Sequence, residues 1–417
     1  MVLSKVEPVL TVLRKNTMKT RRSSKSLLLA TLVLCLGATT TVASGASGAS
    51  KVSSITCYQA DATHFNALQH PTKKPVQVSG ANAVCPLGFT PNKFVDVSGL
   101  TLNVADTQGF YQLLWGTGVQ KGVIDPSKLG FTVHFDELNG PAIVSAVING
   151  ADHVTPVVST ASWAEALDNG QALSAVGINQ LVNPGNYWQV LVSPAQYAAG
   201  TTSAANLAGL KIAYPAGGDS QYVVDSLLRK NHIALNNYSY SNLSEANALS
   251  ALMGGSVQAI VVSPVVAAQA VAMGNKVIAT GAGIVNGYSP ILMTPSAIKN
   301  PKTMAMVAAY LYQGALIDKW ILNNQTAFTQ VIFNAFFAAS PATNGPVGQA
   351  LSSVLYTTGV NRFVPISNGL KNELQAEALS LYYDGILQKS PTLLSGFNPV
   401  FAQELTYLNT LIGPPAK

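Results

Sequence analysis

Charged residues occupy only 10% of the 417 positions, against about 25% in an ordinary globular protein. A chain so poor in charge suits export or a membrane better than the cytosol. Cysteine is scarce as well, with Cys35, Cys57 and Cys85 alone, and the five histidines are scattered. Neither residue type shows a metal-ligand spacing, so a zinc site or a cysteine-rich cluster is not expected. His134, His153 and His232 each stand alone and read as strand or surface residues. A G-x-S-x-G elbow, an HExxH pair and a Walker loop are all missing, which removes the commonest signals of hydrolase and nucleotide chemistry. Beyond residue 50 no apolar run reaches the length of a membrane span. The stretch SPVVAAQAVAMG (263–274) is too short and reads as a buried helix.

What is present begins with a targeting pattern. MKTRRSSK (18–25) is a basic segment, SLLLATLVLCLGATTTVA follows as an apolar core of about 17 residues, and SGASGAS supplies small residues for cleavage. Residues 1–50 therefore read as a secretory signal peptide, with Met18 a natural start and an uncleaved anchor as the other reading. The lipoprotein reading fails because Leu34 precedes Cys35, and the Arg21-Arg22 pair is followed by serines, so a twin-arginine signal is weak. This segment holds seven of the 24 Lys/Arg and one of the 18 acids, leaving 17 of each in residues 51–417. The exported chain is thus formally neutral, and no basic stripe remains for nucleic acid. In an oxidising compartment Cys57 and Cys85 most simply pair, with two free thiols as the alternative. Such a bridge stabilises by roughly 3–4 kcal/mol. It would staple residues 51–97, which read as an irregular leader region rich in Pro, Gly and polar residues.

From residue 99 the pattern alternates. LTLNVADTQ (100–108) and GFTVHFDEL (130–138) read as strands. GFYQLLWGTGVQKG (109–122), GPAIVSAVINGAD (140–152) and SWAEALDNG (162–170) read as helices, the second opened by Pro141 and closed by Gly150. A second run of strand–helix units extends from GLKIAYP (209–215) to KVIATG (276–281). Short alternating units argue for an α/β fold with mostly parallel sheets. YWQVLVSP (187–194) and GYSPILMTP (287–295) flank that second run as apolar extended segments, and they read as two crossovers between lobes. The expected division is residues 98–190 with 291–417 in lobe 1 and 191–290 in lobe 2. The remainder, 296–417, reads as mainly helical.

One loop raises a functional question. In KIAYPAGGDSQYVVDSLLRK a strand empties into Gly217-Gly218-Asp219-Ser220 and a helix begins. Glycines there let backbone approach a ligand, and a helix N-terminus offers bare N–H donors and a positive dipole end. Asp219 or Ser220 could also be no more than a helix cap, worth about 1 kcal/mol.

Taken in order, FDELNGPAIVSAVINGAD, SAANLAGLKIAYPAGGDSQYVVDSLLRK and SEANALSALMGGSVQAIVVSPVVAAQAVAMGNKVIATG are similar to successive segments of the periplasmic solute-binding proteins of ABC importers. The similarity is to the branch serving aliphatic sulfonates, taurine, nitrate and thiamine-precursor pyrimidines, and it spans about residues 99–410. The resemblance implies the type II periplasmic-binding-protein fold, two α/β lobes joined by two crossover strands, with a small-molecule ligand in the cleft. It also implies a membrane permease as partner, a periplasmic or cell-surface location, a monomer and no cofactor. An anionic, sulfonate-like solute is the implied ligand class. The strand ends that feed helix starts supply the candidate contacts: Asp106, Thr107 and Gln108; Asn139, Gly140 and Pro141; Ser159, Thr160 and Ser162; Gly217, Gly218, Asp219, Ser220 and Gln221; Ser263 and Pro264; Asn286 and Tyr288. The chain departs from the branch at three places. Ser263 precedes Pro264 where a Trp-Asp pair is usual, Gln221 replaces a histidine, and STAS (159–162) replaces a Gly-Asp. Asp219 would also set a carboxylate beside an anion, so an ammonium or neutral polar head stays open. A catalytic or sensory protein built on the same fold is the alternative function.

Overall fold

The computed structural model describes residues 54–59, 76–80, 83, 85, 89–90, 95–107, 109–138, 140–181, 187–339, 344–345, 348, 361–383, 385 and 387–413. The signal-peptide reading and the candidates Gln108 and Asn139 fall outside them. Residues 51–417 cluster as one unit. Its first element is a small antiparallel sheet of β1 (Ser54–Gln59), β2 (Val76–Ser79) and β3 (Phe89–Thr90), in the order β2-β1-β3. The leader expected to be irregular is therefore partly paired. The Cys57–Cys85 disulfide, with an S–S distance of 2.07 Å, ties β1 to the segment before β3.

The first lobe opens with β4 (Thr101–Thr107), α1 (Phe110–Gln120) and β5 (Thr132–Leu138), the two strands running parallel. Then come α2 (Pro141–Ile148), α3 (Thr160–Asp168) and β6 (Ser174–Leu181). Chain order then enters the second lobe through β7 (Gln189–Val192), α4 (Pro194–Ala198), β8 (Lys211–Tyr214), α5 (Asp219–Lys230), β9 (Ser239–Asn242), α6 (Glu245–Met253), β10 (Ala259–Val262), α7 (Pro264–Ala272) and β11 (Lys276–Thr280). It returns with β12 (Tyr288–Met293), α8 (Pro295–Lys299), α9 (Pro301–Asn323), α10 (Gln325–Phe336), β13 (Asn361–Val364), α11 (Asn368–Tyr383) and α12 (Ala402–Ile412).

The sheets are mixed where mostly parallel ones were expected. Parallel pairing holds at β4–β5, β8–β9 and β8–β10. Antiparallel pairing holds wherever a strand has just crossed between lobes: β7 against β10 and β11, β12 against β6. β13 also runs against β6. A strand that arrives from the other lobe enters its sheet without a helical crossover, so the rule that makes βαβ units parallel does not act on it. The two extended segments expected as crossovers are these strands themselves. The passes between lobes are shorter and lie between Leu181 and Gln189 and between Thr280 and Tyr288. They touch where Gly281 N donates to Trp188 O at 2.8 Å.

Each lobe has its own apolar interior. In the second, β10 lies between β7 and β8, and all of Ala259, Ile260, Val261 and Val262 are buried. Full burial of such a side chain is worth about 1.5–3 kcal/mol. Helix α5 lays Val223, Val224, Leu227 and Leu228 on one face of this sheet. Its acid in the first turn and its Arg229-Lys230 in the last both complement the helix dipole. In the first lobe, Val154 and Thr155 stitch β4 to β12 through isolated bridges, and α9 packs its Met304–Ala315 side over Leu102, Val104 and Ile291. No helix among the described residues is long and apolar enough to cross a membrane.

Candidate functional site

Strand ends of both lobes meet around a cavity of about 410 Å3. From the first lobe come Thr107 at the end of β4, Phe110 and Tyr111 at the start of α1, Gly140 and Pro141 at the start of α2, and Ser159 and Ser162 at the start of α3. From the second come Gly218, Asp219 and Ser220 at the start of α5, Ser244 and Glu245 at the start of α6, and Ser263 and Pro264 at the start of α7. Tyr187 and Trp188, on the first pass between lobes, close one side, and Phe336 at the end of α10 another. This is the position a ligand takes in an open α/β sheet, outside the carboxyl ends of strands.

The candidates divide by place. Thr107, Gly140, Pro141, Ser159, Ser162, Gly218, Asp219, Ser220, Ser263 and Pro264 lie on the cavity wall. Asp106, Thr160, Gly217, Gln221, Asn286 and Tyr288 stand behind it, and most have a visible structural task. Asp106 is fully buried and accepts from Tyr111 N at 2.9 Å and Gln112 N at 2.8 Å, so it caps α1 from the preceding strand. Burial pushes its carboxyl up to about 6, against the pull of those two N–H groups. Gly217 adopts φ 81°, in the left-handed region, and a Cβ there would stand 3.1 Å from Glu165 Oε2. Its N–H donates to Gln221 Oε1 at 3.0 Å and its carbonyl accepts from Ser162 Oγ at 3.2 Å. The second of these bonds runs from one lobe to the other. Asn286 accepts from Tyr288 N at 3.0 Å and donates from Nδ2 to Glu377 Oε2, also at 3.0 Å.

Several N–H groups expected to face a ligand are therefore taken by the chain itself. Glu245 Oε2 receives Ser263 N at 2.7 Å and Ser263 Oγ at 2.5 Å. Ser159 Oγ receives Ser162 N at 3.0 Å as the cap of α3. At α5 the cap position is Gly218, with no side-chain cap bond, so this helix start lacks the kind of cap that Ser159 gives α3.

The charge at that helix start is set by carboxylates. Asp219 opens α5 from the second lobe, and Glu377 approaches from α11 of the first. Protein surrounds both groups, while water still reaches part of each side chain. Burial raises Asp219 to about 7, with hydrogen bonds from Trp188 and Ser159 pulling the other way. Burial, and then the charge of Asp219, raises Glu377 to about 8. Two carboxyls so placed hold one proton between them near neutrality. Asp219 Oδ1 is buried without a hydrogen-bond partner among the described residues. No Lys, Arg or His is among the described residues of the wall. Two unit charges 4 Å apart near a protein surface interact by roughly 4 kcal/mol, so the sign of this charge matters to any ionic ligand.

Sequence reasoning missed Tyr187, Trp188, Glu245 and Glu377. The first two sit in the apolar segment expected to link the lobes, and Glu245 follows a strand end exactly as the named candidates do, so those three carried a signal. Glu377 carried none, since it lies mid-helix in α11 and far along the chain from α5.

Residues 137–314 match the family model described as NMT1/THI5 like. That segment runs from the end of β5 into α9 and contains most of the cavity wall. It is the branch to which the sequence resemblance points. No curated protein matches the chain. Among solved structures, the alkanesulfonate-binding protein SsuA of Xanthomonas axonopodis pv. citri, bound to MOPS, is 18% identical with a TM-score of 0.60, over 72% of this chain and 99% of that one. The periplasmic aliphatic sulphonate binding protein SsuA of Escherichia coli is 17% identical with a TM-score of 0.57, over 72% and 92%. The periplasmic nitrate-binding protein NrtA of Synechocystis PCC 6803 is 12% identical with a TM-score of 0.55, over 76% and 92%. These likenesses establish the fold, the two-lobed α/β architecture of periplasmic binding proteins.

Proposed function

We propose that this chain is the extracytoplasmic solute-binding component of an ABC importer, with the chain from β4 to β6 and from β12 onward as one lobe and from β7 to β11 as the other. It captures a small organic molecule between its lobes, swings shut and delivers the molecule to a membrane permease, making and breaking no covalent bond. The observation that carries this reading is the cavity walled by helix starts from both lobes, at the place where the chain passes twice between them. The match to the NMT1/THI5 like model over residues 137–314 and the binding-protein fold support it. Export follows from the same reading and agrees with the targeting pattern of residues 1–50. A monomer is the expected working form.

The test is direct binding. The exported chain, titrated with a panel of sulfonates, nitrate, taurine, pyrimidines and small amines, should gain thermal stability with at least one of them. A micromolar ligand corresponds to about −8 kcal/mol, and at a hundredfold excess over Kd it stabilises by about 2.7 kcal/mol. Mass spectrometry should recover that ligand unaltered. A ligand returned chemically changed would move the chain to the catalytic alternative.

A further inference from the structure

We propose that the solute taken by this cleft carries a positive head, a protonated amine, on an apolar or aromatic body, and that the head seats at Asp219. The inference rests on the solute-binding reading and narrows it to a ligand class that differs from the anion implied by the resemblance.

Three independent observations converge. The wall offers carboxylates from Asp219 and Glu245 and, among its described residues, no basic side chain. Glu245 is engaged by the backbone and hydroxyl of Ser263, whereas one oxygen of Asp219 is buried without a partner among the described residues. An unsatisfied buried carboxylate oxygen is costly, and a ligand N–H would relieve that cost. Second, the donors an anion would need are partly spent. Gly217 N serves Gln221, Ser263 N serves Glu245, and Tyr111 N and Gln112 N serve Asp106. Third, Phe110, Tyr187, Trp188 and Phe336 give the cavity aromatic sides, which suit an apolar body and attract a cation. The ionisable groups that act on Asp219 or share its surroundings include Glu377 from α11, Glu245 from α6, Glu165 from α3 beside Gly217, and Tyr187 from the pass between lobes. All four are neutral or negative, so what opposes a cation beside them is the positive dipole end of α5, which the carboxylate of Asp219 offsets. The raised proton affinity of Asp219 and Glu377, which burial causes first, agrees with this picture.

The experiment uses three probes with one body, 4-phenylbutylamine, 4-phenylbutanol and 4-phenylbutanesulfonate, with Kd measured calorimetrically on the full exported chain at about pH 8 and about pH 5.5. An alkyl ammonium keeps its proton at both. At about pH 8 the amine should bind roughly tenfold or more tightly than the alcohol, the range of a hydrogen bond to a charged group. Its advantage should shrink at about pH 5.5, where the carboxyl pair is protonated. Asp219→Asn should bring the amine down to the level of the alcohol. Glu377→Gln should keep the amine preference and carry it to lower pH, since a like charge beside Asp219 is gone. A sulfonate that outbinds the amine at about pH 8, or three equal affinities, overturns the inference and leaves the solute-binding reading standing. Silence from all three probes and from the wider ligand panel overturns both.

Discussion

Asp219 illustrates how a residue chosen for one role can hold another. As a helix opener it complements the dipole of α5, yet the surroundings that enclose it favour its neutral form. The consequence for stability has a definite sign. Asp106, Asp219 and Glu377 all bind protons more tightly in the folded chain than in the unfolded one. Their contribution is therefore fully present below the ordinary carboxylate range and lost as pH rises through about 6, 7 and 8 in turn. The unliganded protein should melt at a higher temperature near pH 5 than near pH 8, and Asp219→Asn should flatten that slope. Differential scanning calorimetry across this range checks it, and a melting temperature that rises with pH would contradict it. Gly218 gives a second prediction at this scale. A Cβ there would sit 3.7 Å from Ser159 Oγ and 3.9 Å from Ser162 Oγ, in ordinary contact, so the backbone tolerates a side chain. Gly218→Leu should fold with a near-normal melting temperature and lose ligand binding at least tenfold, because its side chain enters the space between lobes. The sequence marked this loop through its glycines and the helix start that follows. It was silent on Glu377, whose partnership with Asp219 exists only after α11 packs.

At the scale of elements, the glycines of α1 make a controlled pair. Gly118 is pressed against α9, and a Cβ would fall 2.7 Å from Ile317 Cγ1 and 3.2 Å from Ile124 Cγ1. Gly116, one half-turn earlier, has open space. Gly118→Ala should destabilise by about 1–3 kcal/mol through overpacking, and Gly116→Ala should stabilise by about 0.5–1 kcal/mol through its helix preference. Urea melts of the two variants decide the matter, and equal effects would refute the packing argument. Elements of this kind were legible because their limits are local. LTLNVADTQ predicts the strand seen at Thr101–Thr107, and the proline at the head of PVVAAQAVAMG predicts the helix seen at Pro264–Ala272. Strand direction was not legible. Nothing within QVLV or YSPILM says that each runs against its neighbours, because that depends on which lobe the chain has just left. The three short strands of the leader were missed for a related reason, since their pairing partners are separated by polar stretches without period.

For the whole molecule, the two-lobed reading predicts a change of shape. Small-angle scattering should show a smaller radius of gyration with ligand than without, and Gly218→Leu should not contract. The disulfide lies in the leader, none of whose described residues is on the cavity wall. Cys57→Ser with Cys85→Ser should lower stability by up to roughly 3–4 kcal/mol and leave Kd within about twofold. A larger loss of affinity would tie the leader to the cleft. The two passes between lobes also set what kind of motion is open to the protein. On one side Gln180 is paired with Tyr288, on the other Gln189 is paired with Thr280, and Trp188 grips Gly281 between them. Two paired anchors, one on each side, favour bending about the line between them over sliding, so closure of the proposed cleft should follow a single swing and bring the same two rims to whatever it holds.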